Sequence, residues 1–493
     1  MSRVRDETSG GAAGDATRGS AIKLGAEVSS RLLTVGTTIV LARGLGVEGY
    51  GAFGRLWVLA PLFAEVGEMG LQATATRALV AGTRSLRSLV RARLVLLALL
   101  VLLGALAAAL VPRLGGSARS ALPVGVFVLL VLHFALGGWN EFFGVALRCR
   151  GSRAQEALLL LFARGSALLF VLAALAAGAG FVALGRALAV SQVPGLALGV
   201  WMLGRHRGDV EGPDARVLPV LAEALPLAAY GALLLLSPRV EFLVLSTLAG
   251  ERETGLFLSA LNLVWPLSLV PSAVAAGAMP ALTREALGSG DAVRRRTAVT
   301  IALFAAPAAL GLALVAPALV PFVFGSEYAR AALWVRILAV ALVPMFMNGL
   351  LAWALIAAGR GSMPPRLLLA RIVVAFALAL ALVPRYGATG AAVGFVLSEV
   401  LLLVLGARAC ATAGFAVPVA GPVALAGLAS VPMAFAVRGV DHSLPLALAT
   451  GVLTYAATLA ATWHLFPATA RRLIGGLEGD AAVVPSSPRA GGR

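Results

Sequence analysis

Residues 40–59 read VLARGLGVEGYGAFGRLWVL, and residues 244–263 read VLSTLAGERETGLFLSALNL. Val40, Leu41, Gly46, Gly51, Phe53 and Leu59 recur 204 positions on as Val244, Leu245, Gly250, Gly255, Phe257 and Leu263. Each copy reads as the end of one apolar run, a short glycine-bearing turn and the start of another run. Further along, Thr76-Arg77 is echoed by Thr283-Arg284 after three inserted residues. Six apolar runs separate the copies, an even number, so both halves cross a membrane in the same sense. Parallel repeats of this sort characterise transporters in which two bundles rock about a midplane site.

The rest of the chain fits that frame. It has 493 residues, 60% hydrophobic and 13% charged, against about 25% charged in ordinary soluble domains. Fourteen apolar runs stand near residues 22–43, 53–76, 94–112, 121–146, 157–178, 181–203, 218–246, 255–280, 298–323, 331–357, 367–385, 388–408, 417–437 and 443–466. Most approach the length of about 20 residues that a hydrocarbon core of about 30 Å requires of a helix. Glycine and proline punctuate the breaks, including Gly44, Gly46, Pro112, Gly178, Gly250, Gly325, Pro364 and Gly387. The composition excludes a soluble enzyme, a disordered chain and a disulfide-stapled secreted protein. The expected fold class is an all-α polytopic membrane protein of about 14 transmembrane helices.

The net charge of +17 does not mark a nucleic-acid groove, because the basic residues recur in short clusters between apolar runs. Alternate breaks hold 26 Lys and Arg on one side and eight on the other, which by the positive-inside rule puts both termini in the cytoplasm. Residues 77–93, with five arginines, count as an inner loop in that scheme. Cys149 and Cys410 stand far apart, with no metal or disulfide spacing. Residues 1–21 are polar and rich in Gly, Ser and Ala, reading as a disordered cytoplasmic N-terminus without a signal-peptide core. Residues 471–493 read as a cytoplasmic tail.

Charged groups at a helix centre cost about 2.5–3.5 kcal/mol on insertion scales, so they normally face a cavity or a partner. In the second run Pro61, Glu65, Glu68, Gln72 and Thr76 follow a spacing of three or four and share one helical face. Glu65 and Glu68, with Glu27 on the first run, are candidates for proton or cation coupling. Glu27 and Arg31 are four apart and within reach of one another, and Arg31 is also a candidate anion contact, since its planar fork matches phosphate oxygens. Arg239, Glu241, Asn262 and Arg164 complete the cavity candidates. Pro238 breaks the helix beside Arg239 and Glu241, which leaves their facing open. His133 reads as a hydrogen-bonded structural residue, while Arg186, Arg336 and Arg371, nearer the run ends, are expected to snorkel. No catalytic constellation, metal-ligand set or cofactor motif is present.

Several stretches resemble the polysaccharide-transporter, O-antigen-type flippases. These are Phe322-Val-Phe-Gly-Ser-Glu-Tyr328 with Ala357-Ala-Gly-Arg360, Val383-Pro-Arg-Tyr-Gly-Ala-Thr-Gly-Ala-Ala392 with Ser398-Glu399, and Leu41-Ala-Arg-Gly-Leu-Gly-Val-Glu-Gly-Tyr-Gly51 with Glu68-Met-Gly-Leu71. Arg239, Glu241 and Gly250 are similar to the family's seventh-helix pattern. The resemblance spans residues 20–470. It implies a multidrug/oligosaccharidyl-lipid/polysaccharide (MOP), MATE-like fold: an N-lobe at 22–217, a C-lobe at 218–412, and helices 13 and 14 at 413–470. It further implies movement of a polyprenyl-pyrophosphate-linked oligosaccharide from the cytoplasmic to the outer leaflet of a bacterial inner membrane, serving cell-surface polysaccharide export of the O-antigen and lipopolysaccharide kind. A proton or sodium ion is the candidate coupling ion. Two departures stand out: helix 8 lacks the arginines of the related lipid II flippases, and Glu68 and Glu241 stand where the family more often has aspartate. The alternatives are a cation-coupled multidrug exporter of the same fold and a membrane-embedded glycan polymerase or ligase.

Overall fold

The computed structural model describes the backbone of residues 3–68, 70–110, 124–205, 213, 216–286, 291–440 and 443–465. Side chains are described from residue 25 on, apart from 66, 73, 105–110, 268–273, 276, 463 and 465. The expected tail, 471–493, lies outside the described residues. All regular structure among the described residues is helical. In order these helices are α1 (Arg3–Glu68), α2 (Leu71–Val80), α3 (Leu86–Leu110), α4 (Val124–Cys149), α5 (Arg153–Ala176), α6 (Phe181–Ser191), α7 (Val193–Arg205) and α8 (Val217–Leu236). There follow α9 (Val240–Leu248), α10 (Glu251–Val264), α11 (Leu269–Ala286), α12 (Ala292–Phe324), α13 (Ala332–Ala357), α14 (Met363–Thr412), α15 (Ala420–Arg438) and α16 (Leu444–Leu465).

The breaks fall where glycine or proline allows them. Gly46 (φ 65, ψ 175) kinks α1 between the first two apolar runs. Gly387 (φ 56, ψ −136) does the same in α14, and there the chain doubles back: a Cβ on Gly390 would sit 2.5 Å from the Leu382 carbonyl oxygen. Short 3-10 turns at Ser237–Arg239 and Trp265–Ser268, holding Pro238 and Pro266, separate α8 from α9 and α10 from α11. Gly70, at φ 65 and ψ 9, ends the second run early, so Gln72 and Thr76 start a new helix. The single stripe expected from Pro61 to Thr76 is therefore cut in two.

Two further ends differ from the sequence reading. α1 is helical from Arg3, where irregular chain is expected to residue 21; no proline precedes Pro61 to stop it. α3 begins at Leu86, well before residue 94, because the Ser85 hydroxyl accepts the Ser88 amide at 3.1 Å and caps the first turn. The loop expected at 77–93 thereby shrinks, and its last arginines join the helix.

Ten segments among the described residues are long and apolar enough to cross a membrane. Two of them, at Gly25–Glu65 and Met363–Thr412, each contain a glycine kink between two apolar runs. Leu102, Phe322 and Leu453 are exposed, as lipid-facing side chains should be. In lipid the helices gain little from hydrophobic burial and associate through close packing at small residues.

The chain divides into two compact units, residues 1–262 and 263–493. The division falls after α9 and most of α10. In the first unit α4 packs against α1, α2, α3, α5, α6 and α7. α8 joins it through Gly70, where a Cβ would lie 2.7 Å from the Ala228 amide nitrogen. In the second unit α13 packs against α11, α12 and α14, and α15 and α16 lie on α12.

Candidate functional site

Within the first unit a cavity of about 160 Å³ opens among α1, α4, α5 and α8. Glu65, Glu68, His133, Gly138, Glu141 and Arg164 line it. The two acids of α1 arrive one turn apart at its end, just before Gly70 stops the helix. Glu68 accepts a hydrogen bond from Arg93 Nη2 at 3.0 Å, and that arginine is 1% exposed. Its guanidinium lies against the Trp139 and Phe142 rings, 5.4 and 5.1 Å from their centroids. Gly138 makes the space: a Cβ there would overlap Glu68 Oε1 and lie 2.7 Å from Arg93 Nη2. Across the cavity Arg164 Nη2 donates to Glu141 Oε1 at 2.7 Å.

Two guanidinium–carboxylate pairs leave one carboxylate over. Among the described residues no side chain forms an ion pair with Glu65. α8 fits against it, since a Cβ on Gly231 would stand 3.0 Å from Glu65 Oε1. His133 packs on Trp57, and its Nδ1 donates to the Leu188 carbonyl at 2.7 Å. That bond holds the ring in place and assigns the proton to Nδ1. Asn140 Nδ2 in turn donates to Gln192 Oε1 at 3.1 Å, tying α4 to the joint between α6 and α7.

The structure thus brings Glu65, Glu68 and Arg164 together and sets the other candidates elsewhere. Glu27 and the exposed Arg31 lie on the first half of α1. Arg239 is half-buried at the bend before α9, with its Nη1 donating back to the Leu235 carbonyl. Glu241 is 1% exposed in the first turn of α9. Asn262, on α10, donates from Nδ2 to the Tyr50 hydroxyl at 2.7 Å.

Two arginines are misplaced by the sequence reading. Arg93, counted in the inner loop, is a buried ion-pair partner. The signal was available: Leu89, Arg93, Leu96 and Leu100 keep the spacing of one helical face, and all four are buried. Arg371, expected to snorkel, is 0% exposed, with its Nε 3.0 Å from Glu399 Oε1 and its guanidinium over Phe395. Glu399 also accepts from Asn348 Nδ2 at 2.9 Å, so a three-residue cluster holds Arg371 in place of the interface.

The second unit holds a larger cavity of about 670 Å³ among α12, α15 and α16. Its walls include Leu303, Pro307, Val315, Met433 and Leu459, with Arg296 near the start of α12. Pro307 has no amide hydrogen for the Leu303 carbonyl four residues back. The Tyr455 hydroxyl donates to that carbonyl instead, at 2.7 Å, and pins α16 to α12.

A polytopic helical bundle with paired charges inside its membrane helices has the makings of a transporter, and comparison with known proteins agrees at the level of fold. The chain is similar to the lipid II flippase MurJ in an inward closed conformation, with a TM-score of 0.72 at 11% identity over 91% of this chain and 100% of that one. It is similar to an inward-facing multidrug resistance MATE family transporter of the MOP superfamily, with a TM-score of 0.59 at 15% identity over 80% and 98% of the two chains. A Vibrio cholerae MATE transporter aligns with a TM-score of 0.56 at 15% identity, over 80% and 98%. None of the curated proteins matches the chain. Residues 16–285 match the family model described as polysaccharide biosynthesis protein, and the chain belongs to that family. Its fold is that of the MOP superfamily, and it is a multi-pass membrane protein.

Proposed function

We propose that the protein is a flippase that carries a polyprenyl-pyrophosphate-linked oligosaccharide from the cytoplasmic to the outer leaflet of a bacterial inner membrane, with both termini cytoplasmic. The observation that carries this reading is the apolar cavity of about 670 Å³ among α12, α15 and α16. A chain of isoprene units needs such a wall, whereas a sugar or a free ion does not. Membership of the polysaccharide biosynthesis family favours a glycan cargo, with O-antigen or lipopolysaccharide precursors as the candidates.

Arg31 and Arg239 act in this reading as the pyrophosphate clamp, with Glu241 and Asn262 beside the α8–α9 bend and on α10. An inside-negative potential favours outward movement of the anionic headgroup by about 2.3 kcal/mol per charge per 100 mV. Glu65, the odd carboxylate of the first-unit cavity, takes the coupling cation, a proton or sodium ion, with Glu68 and Glu27 as further candidates. The test is transport of a fluorescent polyprenyl-pyrophosphate glycan in proteoliposomes. Arg31→Ala and Arg239→Ala should each slow flipping at least about tenfold, the loss of about 1.4 kcal/mol of binding; wild-type rates in both remove the clamp.

A second reading, a cation-coupled multidrug exporter of the same fold, draws on one observation: the small cavity combines three carboxylates with the rings of His133 and Phe134. Efflux of an organic cation from loaded vesicles, with no flipping of the lipid-linked glycan, would favour it.

A further inference from the structure

Glu141, Arg164 and Gln192 in the first unit are followed 207 residues later by Asn348, Arg371 and Glu399 in the second. The offset is the one that relates Thr76-Arg77 to Thr283-Arg284. Local sequence agrees with it. Leu160-Leu161-Phe162-Ala163-Arg164 matches Leu367-Leu368-Leu369-Ala370-Arg371 in four places, and Ser191-Gln192 answers Ser398-Glu399. Local geometry agrees as well. Ser191 and Ser398 are fully buried and donate to the carbonyls of Leu188 and Phe395, themselves 207 apart, at 2.6 and 2.9 Å.

In each unit the arginine pairs with one carboxylate, but that carboxylate stands on a different helical segment. In the first unit α4 carries it: Arg164 on α5 donates to Glu141 at 2.7 Å, and position 192 is an amide held by Asn140 at 3.1 Å. In the second unit the far half of α14 carries it: Arg371 Nε lies 3.0 Å from Glu399, and position 348 on α13 is the amide, 2.9 Å from the same carboxylate. Acid and amide have changed places. Access differs too, since the Arg164 side chain is 29% exposed on a cavity wall and the Arg371 side chain is 0% exposed.

We infer that Asn348, Arg371 and Glu399 are positioning residues, the sealed copy of a duplicated polar cluster whose open copy lines the first-unit cavity. In either copy the arginine requires one carboxylate, and either outer segment can supply it. The sealed copy holds α13 and the two halves of α14 together. The open copy exposes the same chemistry to the cavity of about 160 Å³. A buried guanidinium stripped of its carboxylate is the state each cluster avoids, because the stranded charge keeps its desolvation penalty.

The test moves the carboxylate. Glu399→Gln in the full-length protein should lower the thermal midpoint and the yield of monodisperse protein in detergent. Adding Asn348→Glu should recover at least half of both losses, because position 348 is where Glu141 stands in the other copy. Asn348→Glu alone should lower both, since it crowds two carboxylates on one guanidinium. The mirror set is Glu141→Gln, rescued by Gln192→Glu. Where Glu399→Gln gives no monodisperse protein, its reappearance in the double variant is the readout. A general packing role for Glu399 predicts no rescue from position 348. Absence of rescue in either unit overturns the equivalence.

Discussion

Gly51 and Gly255, equivalent positions of the duplicated hairpin, meet backbone to backbone, and they do so reciprocally. A Cβ on Gly51 would overlap the Glu251 carbonyl oxygen and lie 2.8 Å from the Gly255 nitrogen; one on Gly255 would overlap the Val47 carbonyl oxygen and lie 2.9 Å from the Gly51 nitrogen. Val47 and Glu251 are again 204 apart, as are Gly54 and Leu258, whose side chain fills the space over Gly54. The two copies therefore cross about a local two-fold, and small residues there let backbones approach as lipid-embedded helices require.

Alanine at either position must push the helices apart. Gly51→Ala and Gly255→Ala should each cost about 1–3 kcal/mol, the usual range for overpacking, read as a lowered thermal midpoint of the detergent-purified protein. Gly36→Ala is the control: its nearest neighbour would be a Leu168 methyl at 3.9 Å, so it should be neutral or stabilising.

Arg93 and Glu68 should show strong coupling in a double-mutant cycle. Removing one partner of a buried pair costs about 3–5 kcal/mol, whereas replacing both with apolar residues of similar volume is often near neutral. Arg93→Met and Glu68→Leu should each destabilise, and the double variant should recover much of the loss in thermal midpoint while transport stays down. Additive losses would show that the pair makes no net interaction.

Gly138→Ala places a methyl group where the Glu68 carboxylate and the Arg93 fork meet. Flipping should fall about tenfold, a barrier increase of about 1.4 kcal/mol, with helical content by circular dichroism unchanged. Gly137→Ala, whose Cβ would meet only the Gln192 side chain at 3.5 Å, should transport at nearly the wild-type rate.

The Tyr455 hydroxyl is needed because Pro307 strands the Leu303 carbonyl. Tyr455→Phe should cost about 0.5–1.5 kcal/mol. In a Pro307→Ala background it should cost less, since the restored amide takes that carbonyl. An equal cost in both backgrounds would deny the proline its role.

Much of the fold was legible in the sequence because a bilayer imposes few rules. Run length reports that helices cross the bilayer, and the turns at Gly46, Pro238 and Gly387 were written in residues that free or forbid backbone conformations. Gly70 was harder: a lone glycine in an apolar run reads as tolerated, and only its close approach to Ala228 explains the break. The site was legible in part. Glu65, Glu68 and Arg164 stood out as charges inside apolar runs. Arg93 did not, because a basic residue beside a cluster of arginines looks like a loop, and its pairing with Glu68 is a property of two helices packed together. Arg371 and Glu399 were missed as a pair for the same reason. Gly138 carries no chemistry of its own and is visible only through the two groups it admits.

The most direct measurement is leaflet-resolved flipping of a fluorescent polyprenyl-pyrophosphate oligosaccharide in proteoliposomes, read by membrane-impermeant quenching under an imposed inside-negative potential. Wild-type protein should expose the headgroup faster than protein-free vesicles do, and Glu65→Gln should remove the acceleration given by a proton or sodium gradient. A wild-type rate equal to that of protein-free vesicles, under every gradient, would contradict the flippase assignment.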